Sequence, residues 1–191
     1  TMAREAGALV PAGAAHNIRR RADALAAVIA RRFGYGGDTL TYDDPQNANL
    51  MRVIDRRKGL PVSLGIIYIQ VARALGWPAA GLDFPGHFMV RLDCGGDRVI
   101  LDPFHGGVVR DAFELRALLK ANTGAGAELQ PAHTRTVADR DVLLRLQNNI
   151  KFRALAAGRT RRASEVIGRM LLFAPDRAAL WHEAGICHAR L

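Results

Sequence analysis

One segment near the middle of the chain constrains the fold more than any other. The stretch GLPVSLGIIYIQVARALG, residues 59–76, places apolar side chains on nearly every side of a helix, and Pro61 and Gly76 suit its start and its end. A helix without a polar face is stable where other elements surround it. We therefore expect this helix at the centre of the main domain.

The segments before this helix predict further helices. Apolar residues recur at helical spacing in NIRRRADALAAVIARRFG, which predicts an amphipathic helix. The next stretch, YGGDTLTYDDPQN, is rich in Gly, Asp, Pro and Asn and predicts a loop. ANLMRVIDRRKG then predicts a short helix with Leu50, Val53 and Ile54 facing inward and Gly59 as its terminator.

The segments after this helix predict strands. AAGLDF, HFMVRLD and DRVILDPF are short, apolar and rich in β-branched residues, and Gly95-Gly96 between the last two favours a tight hairpin. Asp111 and Glu114 then form a capping-box pattern that begins another helix. The predicted fold class is α+β, a buried helix packed on a small antiparallel sheet.

Three domain-level segments follow from this pattern. We predict a main domain over residues 15–122, a linker rich in Gly, Pro and Thr over 123–138, and a helical tail over 139–191. Ala163 and Pro175 in the tail partly match the 34-residue tetratricopeptide pattern, whose second unit would be cut off after its first helix. An ordinary three-helix tail is the alternative.

The basic composition invites a nucleic-acid interpretation that the distribution of charge does not support. The formal charge is +9, but all but three of the 27 basic residues are Arg, and they are scattered along the chain. No segment shows a helix-turn-helix pattern with a basic recognition face. We therefore do not expect a nucleic-acid partner.

The cysteines and the N-terminal residues indicate in which cellular compartment the protein is expected. Cys94 and Cys187 form neither a metal-type pair nor a disulfide framework, and TMAREAGALVPAG lacks the regions of a secretory signal. No apolar run approaches the roughly eighteen residues of a membrane span. We expect a cytoplasmic protein without metal or cofactor.

The predicted hairpin gives a geometric test for a site. If Gly95-Gly96 is a two-residue turn, Met89 faces Asp102, so His87 lies diagonally across from Asp102 on the same face. A hydrogen bond between imidazole and carboxylate is then within reach. The same register puts His105 on the other face, which argues against a metal cluster of His87, Asp102 and His105.

Ser63 would complete a triad with this pair. In the first turn of the buried helix, its hydroxyl would lie beside backbone N–H groups that stabilise a developing oxyanion. The alternative for each residue is structural, because Ser often begins helices, an inward strand His is often a core group, and Asp often precedes Pro at a strand end.

The motifs around these residues resemble a known family. GLPVSL, GLDFPGHFMVRL and VILDPFHGG, in that order, are similar to the transglutaminase-like superfamily, and more closely to its bacterial invasion regulator Sir B-like members with a tetratricopeptide tail. The resemblance covers residues 30–191. It implies a papain-like core in which His87 and Asp102 match the family's His and Asp, and Ser63 stands at or near its nucleophilic Cys.

The replacement of Cys by Ser leaves two functional hypotheses. The first is a non-catalytic or repurposed regulatory module that binds a peptide or protein partner, with the tail as a second interaction surface. The second is a serine-type acyl-transfer enzyme using Ser63, His87 and Asp102 on an amide or ester. Asn47, Asn49 and Asp55 should lie near the same cleft, where structural capping is the favoured role for them.

Overall fold

The computed structural model describes residues 1–14, 16–82 and 84–191. The α-helices in this part of the chain are α1 (Met2–Ala8), α2 (Ile18–Leu25), α3 (Leu50–Arg56), α4 (Pro61–Arg73), α5 (Ala112–Thr123), α6 (Asp139–Ala156), α7 (Thr160–Phe173) and α8 (Ala178–Ala189). The strands are β1 (Gly36–Gly37), β2 (Lys58–Gly59), β3 (Ala79–Leu82), β4 (Met89–Cys94), β5 (Asp97–Asp102), β6 (Val108–Arg110) and β7 (Thr136–Val137). The α+β class is confirmed.

Helix α4 is the central element, as its sequence predicts. Pro61 occupies the first turn, and almost every residue of the helix is buried. One face packs on the sheet, where Gly65 lies so close to the Phe88 ring of the loop before β4 that a methyl group would collide with it. The aromatic ring therefore takes the space that a side chain at position 65 would need.

The main sheet has the strand order β6-β5-β4-β3-β7 and is antiparallel throughout. Cys94 pairs with Asp97 and Val90 pairs with Leu101, so the hairpin register predicted from Gly95-Gly96 is confirmed. The predicted strand AAGLDF also included Asp83, which lies outside the described residues. The hairpin brings the start of β4 next to the end of β5.

The segment predicted as a loop contains more structure than expected. Gly36–Gly37 pairs in parallel with Lys58–Gly59 to form a small second sheet. A Cβ atom at Gly37 would lie 2.6 Å from the ring of Phe104, so a glycine is needed for this close approach. A 3-10 turn over Pro45–Ala48 follows and leads into α3.

Two details of the predicted α3 helix are wrong. Ile54, expected to face inward, is 55% exposed, whereas Val53 is fully buried. The helix ends at Arg57, which adopts the left-handed conformation with φ of 59°, and not at Gly59. Gly59 instead lies in β2, where its carbonyl accepts a hydrogen bond from the backbone N–H of Asp38.

The first helical region also departs from a simple pattern. The predicted amphipathic helix is present, but after Leu25 it continues as a π-helix over Ala26–Arg32. Helix α1, which the sequence pattern did not reveal, packs beside it and buries Ala6 completely. These N-terminal residues therefore belong to the same core as α4.

The C-terminal segments pack against the main sheet and against one another. The predicted linker includes β7, which pairs with the edge of β3, so this segment is part of the sheet. Helices α6, α7 and α8 follow, and each packs against the next. Val142 and Leu146 of α6 join the main core, while Leu144 and Ala154 of the same helix join the core of the tail.

Among the described residues, no helix combines the length and the apolar character that crossing a bilayer requires.

Candidate functional site

The site is built where the hairpin strands meet the start of α4. His87 precedes β4, Asp102 ends β5, and the imidazole Nε2 of His87 lies 2.8 Å from Oδ1 of Asp102. Both side chains are buried, with Asp102 wholly inaccessible. The contact expected from the hairpin is thus present, and it leaves Nδ1 as the ring atom of His87 that faces away from the carboxylate.

Asp102 gathers more donors than the sequence suggested. Its Oδ2 lies 2.8 Å from Nδ1 of His105 and accepts hydrogen bonds from Nε and Nη2 of Arg110 at 3.1 and 2.9 Å. The prediction that His105 lies on the opposite face is wrong. The strand alternation stops at Asp102, because this residue caps a 3-10 turn over Pro103–His105 and accepts from the backbone N–H of His105.

This network sets the charge of the carboxylate. Burial alone would raise the pKa of Asp102, but the hydrogen bonds and charges of His87 and His105 outweigh it and hold the pKa well below its usual range. For Arg110, burial lowers the pKa but the hydrogen bond to Asp102 more than compensates, so the pKa is raised. The site therefore contains a buried, ionised carboxylate with a guanidinium beside it.

The same three residues were considered above as a metal cluster. His87, Asp102 and His105 each offer a ligand atom within 4.8 Å of the others. However, both carboxylate oxygens already accept from imidazole, guanidinium or backbone donors at hydrogen-bond distance. A cation would have to displace Arg110 from Asp102, so the donor set fits a hydrogen-bonded anion better than a metal centre.

Ser63 lies in the first turn of α4, at the expected place, but its hydroxyl is directed elsewhere. The side chain is wholly buried, and Oγ donates a hydrogen bond of 2.7 Å to the carbonyl oxygen of Asn47. Within the part of the chain that the structure describes, Ser63 makes no hydrogen bond to His87. The structure thus brings His87 and Asp102 together and ties Ser63 to a neighbouring loop.

Asn47 is the residue whose importance the sequence understated. Its carbonyl accepts from the backbone N–H of Leu60 as well as from Ser63, and its Oδ1 accepts from Arg56 at 3.0 Å. Its amide also donates to the carbonyl of Thr41 at 2.7 Å. The dense Asp, Pro and Asn run of YDDPQNAN was the available signal for such a buried loop anchor.

The other two residues that were expected near the cleft have structural roles. Asn49 caps α3, since its Oδ1 accepts from the backbone N–H of Met51 at 3.1 Å. Asp55 is exposed and lies 4.0 Å from Arg52, a loose surface contact. Capping was the favoured interpretation for this group, and for Asn49 it is confirmed.

Aromatic rings form the outer edge of the site. The ring of Phe104 contacts those of Tyr42, His87 and His105 edge-on, with centroid separations of 5.8, 6.2 and 5.2 Å. His105 and Tyr42 are each partly exposed, whereas His87 is covered. We call Tyr42, Phe104 and His105 the aromatic rim.

Helix α6 holds both loops that border the site. Arg145 donates to the carbonyl oxygens of His87 and Phe84 at 2.9 and 3.3 Å. Arg153, two turns further along, donates to the carbonyl of Tyr42 and lies over its ring. Burial lowers the pKa of Arg145, which reflects how far this guanidinium is withdrawn from water.

The candidate site is thus a hydrogen-bonded His and Asp pair that an antiparallel sheet holds beside a central helix. Residues 1–148 match the family model of the transglutaminase-like superfamily. The chain therefore belongs to the transglutaminase-like superfamily. No solved structure shows a significant match to the chain.

Curated bacterial proteins are similar to most of the chain. The chain is 35% identical to a Xylella fastidiosa protein named UPF0162 protein, over 85% of the chain and 59% of that protein. It is 32% identical to the UPF0162 protein of Vibrio cholerae, over 91% of the chain and 64% of that protein. The chain thus spans about three fifths of the length of these relatives.

A more distant relative shares a shorter segment. The mouse protein named F-box only protein 21 is 34% identical over 82 residues, which are 43% of this chain and 13% of that protein.

Proposed function

We propose that the chain is a non-catalytic or repurposed transglutaminase-like module that binds a peptide or protein partner at the aromatic rim and exerts a regulatory effect. The observation that carries this proposal is the position of Ser63. Its hydroxyl is wholly buried and donates a hydrogen bond to the carbonyl oxygen of Asn47. A nucleophile must instead reach the substrate and release its proton to a base.

The surroundings of Ser63 make the required rearrangement costly. The Asn47 carbonyl that holds the hydroxyl also accepts from Leu60, and the Asn47 side chain is fixed by Arg56 and Thr41. Freeing Ser63 would break its buried hydrogen bond to this carbonyl, at a net cost of about 0.5–1.5 kcal/mol, and Leu60 would remain as the donor to the carbonyl. A serine also lacks the accessible anionic form that makes a thiol reactive.

The aromatic rim supports binding as the retained activity. Tyr42 and His105 expose part of their rings beside Phe104, and Leu40 nearby in sequence is 94% exposed. Aromatic side chains supply large contact area at low entropic cost and are common in binding surfaces. The shared segment in F-box only protein 21 fits this proposal, because there it is a small part of a longer protein.

The helical tail and the compartment belong to the same proposal. We take α6 to α8 as tetratricopeptide-like, which is supported by the packing of each helix on the next and by Ala163, a fully buried small residue in the core of the tail. Cys94 and Cys187 are buried free thiols, which fits a reducing cytoplasm. No cofactor is needed for binding of this kind.

A serine-type acyl-transfer enzyme is the second candidate. It is favoured by the His87–Asp102 pair, which keeps an ionised carboxylate against the imidazole as a general base requires. In this candidate Ser63 would turn from Asn47 towards His87 when substrate binds.

A fluorophosphonate probe separates the two candidates. Ser63 and Ser164 are the two serines of the chain, so intact-mass and peptide analysis assigns any adduct directly. We expect neither serine to be labelled at neutral pH. Labelling of Ser63 that disappears in His87→Ala would overturn the binding module and establish the enzyme.

A second measurement tests binding itself. Peptides selected from a displayed random library on the full chain should lose affinity at least about tenfold for Tyr42→Ala, because the rim loses its exposed ring. Leu172→Ala, which truncates an exposed side chain on α7, is the matched control and should bind as the unchanged protein does. Failure of every selected peptide to distinguish Tyr42→Ala from this control would reject the rim as the binding surface.

A further inference from the structure

His105 is the residue through which the Asp102 network reaches the protein surface. Its side chain is 49% exposed, whereas those of His87 and Asp102 are buried. Nδ1 of His105 lies 2.8 Å from Oδ2 of Asp102, and the other ring nitrogen, Nε2, forms no hydrogen bond with any described residue. This half-exposed imidazole therefore has one nitrogen engaged by the network and one that is left for a ligand.

The charge of Asp102 determines which nitrogen of His105 carries the proton. An ionised carboxylate can only accept hydrogen bonds, so the ring nitrogen that faces it must be the N–H donor. The groups around Asp102 hold its pKa low and keep it ionised, and Arg110 balances its charge at 2.9 Å. The neutral ring of His105 then carries its proton on Nδ1 and a lone pair on Nε2, which makes Nε2 a hydrogen-bond acceptor.

Several contacts hold this acceptor in one orientation. Asp102 accepts from the backbone N–H of His105 at 3.3 Å as well as from its ring. The rings of Phe104 and His87 flank the imidazole, with centroid separations of 5.2 and 5.8 Å. An acceptor that is already fixed loses little conformational freedom when a donor reaches it. The His105 ring is thus preorganised for a hydrogen bond with a partner.

The neighbouring rings favour an apolar group around the partner's donor. Phe104 contacts both the ring of His105 and the ring of Tyr42, which is 43% exposed. A partner side chain that reaches Nε2 displaces water from this aromatic surface. Removal of such surface from water is favourable, but burying a polar group that finds no partner there is costly. The side chain should therefore be apolar except for its donor.

The charges beside the rim disfavour a charged partner group. Arg153 lies over the ring of Tyr42, and Arg110 lies beside the carboxylate of the network, so an ammonium group would meet two guanidinium groups. Each guanidinium is already paired, Arg153 with Asp43 and Arg110 with Asp102, so a carboxylate would gain little from them. A carboxylate would also present its oxygens to the lone pair of Nε2. An uncharged donor is therefore favoured.

We propose that the rim binds an aromatic side chain that carries a hydrogen-bond donor, the indole of a tryptophan or the phenol of a tyrosine, from a peptide or protein partner. The ring packs against Phe104 and Tyr42, and its N–H or O–H donates to Nε2 of His105. Trp and Tyr combine a large apolar ring with a donor. This binding mode rests on the proposed function, since it names the group that a partner brings to the same rim.

The position of the proton on His105 gives the first test. In the chain with isotope-labelled histidine nitrogens, long-range nitrogen–proton correlation at neutral pH shows which ring nitrogen is protonated. We expect Nδ1–H for His105, assigned by the loss of its signals in His105→Phe, and Nε2–H for His87. A proton on Nε2 of His105 would make this nitrogen a donor and overturn the proposal.

A methylated indole tests the hydrogen bond itself. Peptides that contain tryptophan and bind Tyr42→Ala more weakly are chosen from a displayed random library selected on the full chain. Each is then synthesised with tryptophan methylated on its indole nitrogen, which keeps the ring and removes the N–H. We expect this methyl group to weaken binding to the unchanged chain about three- to tenfold. For a peptide with tyrosine, phenylalanine takes the place of the methylated indole.

His105→Phe assigns the acceptor, because it keeps an aromatic ring and lacks Nε2. On this variant the methylated and unmethylated peptides should bind within about twofold of each other. His182→Phe, which replaces an exposed histidine on α8, is the matched control and should show the same methyl effect as the unchanged chain. Thermal melting of both variants checks that they fold, and the proton position and methyl effect on the unchanged chain do not depend on it.

The remaining outcomes separate failure of this binding mode from failure of the rim. An equal loss from methylation on the unchanged chain and on His105→Phe would overturn the role of His105. Selected peptides that depend on Tyr42 but contain neither Trp nor Tyr would overturn the aromatic donor and leave the rim as the binding surface. Peptides that neither Tyr42→Ala nor His105→Phe weakens would reject the rim, and this binding mode with it.

Discussion

Asp102 is the residue on which the geometry of the candidate site depends. One carboxylate orients a buried imidazole, His87, and a partly exposed one, His105, and it neutralises Arg110. Removal of one partner from a buried charge pair leaves the other charge uncompensated, which is costlier than never having buried the pair. Asn has nearly the same shape as Asp but no charge, so replacing Asp102 by Asn removes the charge of the network and leaves its packing almost unchanged.

We therefore expect Asp102→Asn to destabilise the chain by about 3–5 kcal/mol at neutral pH. Urea unfolding followed by circular dichroism measures the change. Asp176→Asn, which removes an exposed carboxylate paired with Arg140, is the control and should cost no more than about 1 kcal/mol. Equal losses for the two variants would mean that the Asp102 network contributes no more than a surface pair.

Acid should reduce the difference between Asp102→Asn and the unchanged chain. The pKa of Asp102 is lower in the folded chain than its value of about 3.9 in an unfolded one. Its ionised form thus stabilises the fold above about pH 4, and this contribution is lost as the pH falls towards the folded-state pKa. Unfolding measured from pH 7 to pH 3 should show the two curves approaching each other, whereas a constant gap would contradict the ionised carboxylate.

At the scale of single elements, tight contacts between helices and strands decide what each position tolerates. Gly65 in α4 faces the Phe88 ring, while Gly168 in α7 has open space where a side chain would stand. In an isolated helix both glycines would be improved by alanine. Because their environments differ, we expect the same Gly-to-Ala substitution to lower the free energy of unfolding at position 65 and to raise it at position 168.

Gly65→Ala should destabilise the chain by about 1–3 kcal/mol, because the added methyl group displaces Phe88 from its place against α4. Gly168→Ala should stabilise it by about 0.5–1 kcal/mol through helix propensity. Differential scanning calorimetry of both variants gives the two signs in one experiment. A stabilised Gly65→Ala chain would show that α4 can move away from the sheet at little cost.

The elements that sequence predicted well are those with strong local signals. The apolar run of α4 and the Gly95-Gly96 turn fixed a buried helix and a hairpin register, and the register placed His87 beside Asp102. The alternation of side chains between the two faces of a strand ends at Asp102. The side chain of Asp102 caps a 3-10 turn, and this turn places His105 on the same side as His87. The hydrogen bond from Ser63 to Asn47 spans sixteen residues and depends on how a loop packs, which no local pattern encodes.

At the scale of the whole molecule, α6 belongs to two cores at once. Val142 and Leu146 complete the core around α4, and Leu144 and Ala154 complete the core of the tail. Its arginines, Arg145 and Arg153, also hold the loops beside the site. The predicted boundary at residue 139 therefore remains a prediction, and the packing favours a division after α6.

Truncation tests where the division lies. A chain of residues 1–138 lacks Val142 and Leu146, so it should melt well below the full chain and bind a hydrophobic dye such as anilinonaphthalene sulfonate. A chain of residues 1–158 keeps α6 and should retain a cooperative thermal transition. Cooperative melting of the 1–138 chain near the temperature of the full chain would support the boundary at residue 139 instead.

The sharing of α6 has a consequence for how the chain matures on the ribosome. Synthesis proceeds from the N-terminus, and domains generally fold as units once their last segment has emerged. Since Leu146 is part of the main core, that core stays incomplete until the first half of α6 leaves the exit tunnel, well after His87 and Asp102 have appeared. During that interval the apolar surface meant for α6 is open, and a nascent-chain chaperone has its opportunity to bind there.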